Sequence, residues 1–199
     1  MRILVIALVL LATSAAHAQT PTETVRSQVD RALETAAKAP RTAEGTEQRR
    51  VEIRRVSEAL FDFREMSQRT LGRHWSGRTS EERDQFVRLF SDLMSRAYLG
   101  KMDLYSGEPM SYVGERSDGN AASVQARVIT KKGSEVPIEY RLHRLGDRWA
   151  VYDVVIEGVS LLSTYRSQFD RIIRTESFAE LLKRMRQKEQ EAASAGPAR

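Results

Sequence analysis

The sequence predicts an α+β fold: helices first, then a four-stranded antiparallel meander, then helices again. Three observations predict it. Up to Tyr105, apolar residues recur at gaps of three and four, the period of one helix face. From Met110 they alternate with polar residues in runs separated by Asp118-Gly119, Lys132-Gly133 and Gly146-Asp147. After Glu157-Gly158 the helical gaps return, through Leu161, Leu162, Tyr165, Phe169, Ile172 and Ile173.

The first helix covers Thr22 to Ala39, capped by Thr22, with Val25, Val29, Ala32, Leu33 and Ala36 on one face. Pro40 and Gly45 bracket a turn. A second helix starts near Thr46 and carries Val51, Ile53, Val56, Ala59 and Leu60. Asp62 and Glu65 have capping-box spacing, so a third helix begins there and ends near Gly72. The strongest helix signal follows. Thr79 and Glu82 form another capping box, and Phe86, Leu89, Phe90, Leu93, Met94, Ala97 and Tyr98 share one face. This helix continues past Gly100 to Met102 and Tyr105 and ends at Gly107.

The first strand carries Met110, Tyr112 and Gly114, and the second Ala122, Val124, Ala126 and Val128. The third carries Val136, Ile138, Tyr140 and Leu142. Turns of a few residues make the pairing antiparallel. The fourth, from Trp149, is a nearly continuous β-branched and aromatic run, which reads as a buried strand. It turns directly into the helix from Ser160, which lies back over its own sheet and closes a cavity. A final helix, Ser177 to Lys188, carries Phe178, Leu181, Leu182 and Met185. Residues 191–199 make a polar, disordered tail.

Met1-Arg2, an apolar run from Ile3 to Ala12 and Ala16-His17-Ala18 have the layout of a secretory signal peptide over residues 1–18, cut after Ala18. The chain is then exported to the periplasm, and residues 19–190 make one domain. Without Arg2 the remainder holds 31 basic and 27 acidic residues, a mild net charge of +4. That charge reads as an ordinary solvated surface or as modest attraction to anionic lipid. No dense Arg/Lys-aromatic patch points to nucleic acid. There is no cysteine, which excludes disulfides, thiolate metal sites, a cysteine nucleophile and a lipidated N-terminal Cys.

The three His residues, His17, His74 and His143, have no partner at metal-ligand spacing, and the common hydrolase, zinc and nucleotide motifs are missing. Asp153 lies inside the apolar strand, in phase with Trp149, Val151 and Val155. It reads either as a structural carboxylate paired with Arg141 or Arg166, or as the acid-base of a conical-pocket isomerase or dehydratase. His74 reads as a packing or capping residue rather than a base. The surplus apolar surface is for most of these side chains an ordinary core. The sharper alternative is a lipid-sized slot left between the sheet and the helices from Thr79 and Ser160, and periodicity does not separate the two.

The stretch Trp149 to Phe169, W-A-V-Y-D-V-V-I-E-G-V-S-L-L-S-T-Y-R-S-Q-F, closely resembles the MlaC family of periplasmic phospholipid-binding proteins, also called the toluene-tolerance family. The resemblance includes F-D-F-R-E-M-S-Q-R-T-L-G-R-H-W at Phe61 to Trp75 and F-V-R-L-F at Phe86 to Phe90. It extends to Y-S-G-E at Tyr105 to Glu108 and V-P-I-E-Y-R-L at Val136 to Leu142.

This likeness implies a curved four-stranded sheet wrapped by helices, like nuclear transport factor 2, with a helical subregion. It implies a non-enzymatic, monomeric carrier with no cofactor or metal, which moves phospholipid between the outer and inner membranes. Such a carrier serves an ABC transport system in outer-membrane lipid asymmetry. Its implied partners are phospholipid, an outer-membrane lipoprotein–porin complex and an inner-membrane ABC transporter complex. A hopanoid-associated branch of the family carries a related lipid role.

Patterning then nominates the lining of the slot. The long helix offers Phe86, Phe90, Met94 and Tyr98. The sheet offers Val124, Val128, Ile138, Tyr140, Val151 and Val155. The closing helix offers Leu161, Tyr165 and Phe169. The head group is expected at the mouth, near Arg166. A chaperone-like module with a filled core and an exposed apolar patch is the third reading.

Overall fold

The computed structural model describes residues 19–38, 43–102, 110–130 and 133–194. Helix α1 is Pro21–Lys38, α2 is Ala43–Leu60, α3 is Phe63–Leu71 and α4 is Ser80–Met102, with a 3-10 turn at Gly72–His74. Strands β1 (Met110–Asp118), β2 (Ala121–Ile129), β3 (Glu135–Leu145) and β4 (Arg148–Ile156) follow. The two-residue β5 (Val159–Ser160) leads into α5 (Leu161–Thr175) and α6 (Phe178–Ser194). No helix among the described residues is long and apolar enough to cross a membrane.

Helix starts follow local hydrogen bonding. Thr20, rather than Thr22, caps α1: its hydroxyl accepts from Glu23 N and the Glu23 carboxylate accepts from Thr20 N. Pro21 then occupies the first helical position, where a missing N–H costs nothing. The Asp62 carboxylate accepts from Arg64 N and Glu65 N. Thr79 and Glu82 exchange the two bonds of a capping box at 2.9 and 3.2 Å.

Two expectations about extent change. Gly45 is buried inside α2 rather than in a turn, a tolerable cost of about 1 kcal/mol. Helix α6 runs to Ser194, so the proposed tail is helical over 191–194. The proposed leader, Pro40, the Tyr105–Gly107 helix end and the last residues of the tail lie outside the described residues.

The sheet is antiparallel and open, in the order β1-β2-β3-β4-β5. The fifth strand is a difference from the four expected. It pairs only at Val155–Ser160 and Ile156–Val159, too short to leave a periodic trace. Phe61 makes an isolated parallel bridge to Val151, which attaches the α2–α3 junction to β4.

One irregularity decides the sheet's facing. Leu142 pairs with Val151 but Arg141 pairs with Asp153, so Tyr152 is an extra residue. A bulge of this kind reverses the in-out alternation beyond it. Val151 shares a face with Leu142, and Val154 shares a face with Tyr140. Asp153 and Val155 therefore lie on the opposite face, with Arg141 and Glu139. The expected common phase of Val151, Asp153 and Val155 is corrected accordingly.

Candidate functional site

The helix-covered face of the sheet and the inner faces of the helices meet in one apolar cluster. Of the nominated residues, Phe86, Phe90, Val124, Tyr140, Val151 and Phe169 are buried members of it. Met94, Ile138, Leu161 and Tyr165 are half-buried and pack against it. Val128, near the end of β2, is half-buried and outside that cluster. Val155 is buried on the other sheet face. Tyr98 lies outside the residues whose side chains are described.

Sequence reasoning missed Val154, Leu162 and Phe178, which also belong to the cluster. The bulge hid Val154. Phe178 and Leu162 carry a helical-spacing signal but are not among the nominated lining residues.

Helices α4 and α5 touch through aromatic rings. Phe90 meets Tyr165 edge-on at 5.7 Å between centroids, and Phe86 meets Phe169 edge-on at 5.7 Å. Phe86 and Phe90 stack at 5.7 Å, and Phe178 of α6 stands 6.2 Å from Phe86. The nominated aromatic residues of α4 and α5 thus touch one another across the seam expected to hold the slot. Burial pushes the Tyr165 hydroxyl above its ordinary pKa, so it stays un-ionised among these rings.

Two cavities are shaped elsewhere. One of about 390 Å³ is lined by Gln19, Thr24, Gln28, Glu58, Ala59, Asp147, Arg148 and Trp149. The other, about 250 Å³, opens around the outer sheet face and includes Val113, Gln125, Arg127, Glu139, Val155 and Gly158, together with Ile138. Neither is lined by α4 or α5.

The corner between β4 and α5 is built on polar bonds. Glu157 and Gly158 have φ of +51° and +80°, a left-handed turn that carries the chain back along β4. Asp153, 3% exposed, then holds the start of α5. Its carboxylate accepts from Leu162 N at 3.1 Å, from the Ser160 hydroxyl at 2.7 Å and from Arg141 Nη1 at 3.3 Å. Ser160 in turn caps the helix by accepting from Ser163 N. Every donor around Asp153 is structural, and of the two partners the sequence offered, Arg141 and Arg166, it is Arg141 that pairs with it.

His74 ties the 3-10 turn to α5. Its Nε2 lies 2.8 Å from Asp170 Oδ1, and Arg73 Nη2 donates to the same oxygen at 2.6 Å. Hydrogen bonds from His74 and Arg73 hold the Asp170 carboxyl below its ordinary pKa. Gly72 ends α3 with φ +52°. A Cβ there would come within 3.1 Å of the Arg166 guanidinium, so the missing side chain makes room for that arginine. Among the described residues, no group of three or more His, Asp or Glu is placed to hold a metal.

Comparison with known proteins adds the following. A family model described as "MlaC protein" matches residues 26–187. The intermembrane phospholipid transport system binding protein MlaC of Haemophilus influenzae is 25% identical over 124 residues, 60% of this chain and 58% of that protein. The toluene tolerance protein ttg2D of Pseudomonas putida is 26% identical over 92 residues, 46% of this chain and 43% of that protein. The chain therefore spans less than two thirds of the length of these relatives. A phospholipid-binding protein from Ralstonia solanacearum, solved in complex with a phospholipid, superposes with a TM-score of 0.75 at 27% identity. That match covers 86% of this chain and 97% of the other.

Proposed function

This chain belongs to the MlaC family, and from that premise we propose that it is a periplasmic carrier which hides phospholipid acyl chains and shuttles lipid between two membranes. The observation that carries this reading is the likeness to the Ralstonia protein over 97% of its length, because that protein's structure holds a phospholipid. The acyl chains enter the apolar cluster between the sheet, α4 and α5, where Phe86, Phe90, Tyr165 and Phe169 now meet. Val155, on the opposite face, is not part of that path.

The energetics suit such a role. Burying a methylene is worth about 0.8 kcal/mol, so two tails of roughly 15 methylenes cost on the order of 24 kcal/mol to expose. The tails need a dry, non-directional enclosure, and an aromatic cluster supplies one when its rings part. Edge-to-face ring pairs contribute only about 0.5–1.5 kcal/mol each beyond their buried area, far less than the tails gain. Release requires a partner offering an equally apolar path, since binding alone supplies no energy source. An outer-membrane lipoprotein–porin complex and an inner-membrane ABC transporter are the partners proposed, with a signal peptide removed after Ala18. The carrier performs no catalysis and needs no cofactor.

Native mass spectrometry of protein purified from cells tests this reading. Wild type is expected to carry phospholipid mass. Leu161→Arg, at a half-buried position, is expected to lose it while staying folded by circular dichroism. Lys183→Ala, on the exposed side of α6, is expected to keep it. A bare wild-type mass, or normal retention by folded Leu161→Arg, overturns the reading.

A further inference from the structure

Helix α5 has two unlike sides. Leu161, Tyr165 and Phe169 face the apolar cluster. The outer side presents Ser163, Thr164, Ser167 and Gln168, uncharged and exposed, together with Arg166, Arg171 and Arg174. Positions 166, 170 and 174 fall one turn apart on a single stripe, and 171 lies beside it, three residues from 174. Arg73 reaches the same stripe from the 3-10 turn.

The charge balance of this ridge is lopsided. Its one carboxylate, Asp170, is contacted by Arg73 at 2.6 Å, His74 at 2.8 Å and Arg174 at 3.7 Å. The side chains of Arg166 and Arg171 have no ion-pair or hydrogen-bond partner among the described residues. Glu176, at the end of α5, is already taken by Arg184 at 2.6 Å. Elsewhere Arg127 pairs with Glu135 and Arg141 with Glu139. Arg55, Arg88 and Arg116 are exposed with no ion pair among the described residues, but they stand singly on α2, α4 and β1. The ridge therefore holds four guanidinium groups against one carboxylate. Arg73 and Arg174 are about two-thirds exposed, so they can turn outward at little desolvation cost.

We propose that the outer ridge of α5, formed by Arg166, Arg171 and Arg174 with Arg73, docks the protein on an anionic lipid bilayer. Guanidinium forks match phosphate oxygens, and uncharged Ser, Thr and Gln between them raise no repulsion. Docking by this ridge brings to the membrane the same helix whose inner side closes the apolar cluster. The inference rests on the carrier reading only for its purpose; its geometry and charge stand alone.

Vesicle flotation of the mature protein tests it. Vesicles of neutral phosphatidylcholine are compared with vesicles containing about a third phosphatidylglycerol. Wild type is expected to float with the anionic vesicles only, and to be released near 1 M salt, where the screening length shrinks to about 3 Å. The triple variant Arg166→Gln, Arg171→Gln, Arg174→Gln is expected to bind about a hundredfold more weakly, at about fivefold per charge. A control with the same loss of charge, Arg55→Gln, Arg88→Gln, Arg116→Gln, removes three exposed arginines elsewhere and is expected to bind far better than the ridge variant.

Equal weakening of the two triple variants overturns the proposal, because binding then tracks net charge rather than this ridge. No binding of wild type to anionic vesicles also overturns it, as does salt-sensitive capture of an acidic protein in its place. Native mass spectrometry of the ridge variant keeps the two ideas apart: retained phospholipid with lost flotation supports docking and leaves the carrier reading intact. Flotation of a wild type that carries no lipid supports docking and sinks the carrier reading alone.

Discussion

Asp153 shows how the sequence can offer a residue's structural role while its facing stays hidden. Its position inside an apolar strand was visible, and so was its pairing with Arg141. Its facing was not, because the bulge at Tyr152 has no signature in a run as uniformly apolar as Trp149 to Ile156. The carboxylate anchors the start of α5 and does not open into either described cavity. Asp153→Ala is therefore expected to cost stability. It orphans the buried Leu162 N–H, worth about 1–3 kcal/mol. Arg141 is 41% exposed and can return to water, so the loss stays below the 3–5 kcal/mol of a fully buried broken pair. Urea denaturation should show a loss of about 2 kcal/mol with an unchanged slope. A loss under 0.5 kcal/mol would remove Asp153 from this anchoring role.

At the scale of elements, the sequence was most legible where a helix announces its own start. Thr79 with Glu82 was read correctly because a capping box is a local bond pattern three residues long. At Asp62 only half of it forms, since its carboxylate accepts from Glu65 N while Asp62 N donates to Val151 O. The link between α5 and the 3-10 turn was invisible, since Asp170 and His74 stand 96 residues apart. That link predicts a pH dependence. The Asp170 carboxyl is held below its ordinary value by His74 and Arg73. A depressed acid contributes stability above its unfolded pKa, about 3.9, and loses it as pH falls through the folded value. Wild type should therefore be more stable than Asp170→Asn at pH 6, and the gap should close as pH falls from about 4 toward 2. Thermal melts of both proteins across that range check this. A gap that stays constant with pH would mean the bonds contribute nothing through ionisation.

On the scale of the whole molecule, periodicity gave the layers but could not tell a hollow from a core. Phe86, Phe90, Tyr165 and Phe169 have the same spacing whether they line a slot or fill one, and here they meet one another across α4 and α5. Lipid entry between α4 and α5 must then separate the two helices, because a hydrocarbon chain needs about 4–5 Å of its own. The corner held by Asp153 and Ser160 fixes the N-terminal end of α5 to β4. The far end, joined to the 3-10 turn by half-exposed charges, is the weaker attachment. Separation should thus grow along α5 away from Ser160. The chain has no cysteine, so labels can be placed without background. Spin labels at Arg88→Cys and Gln168→Cys, both exposed, report the middle of the two helices, and a pair at Arg88→Cys and Ser163→Cys reports the anchored end. Phospholipid loading of delipidated protein should lengthen the first distance by several ångströms and the second by less. Equal distances before and after loading, with lipid mass confirmed on the protein, would place the acyl chains somewhere other than between α4 and α5.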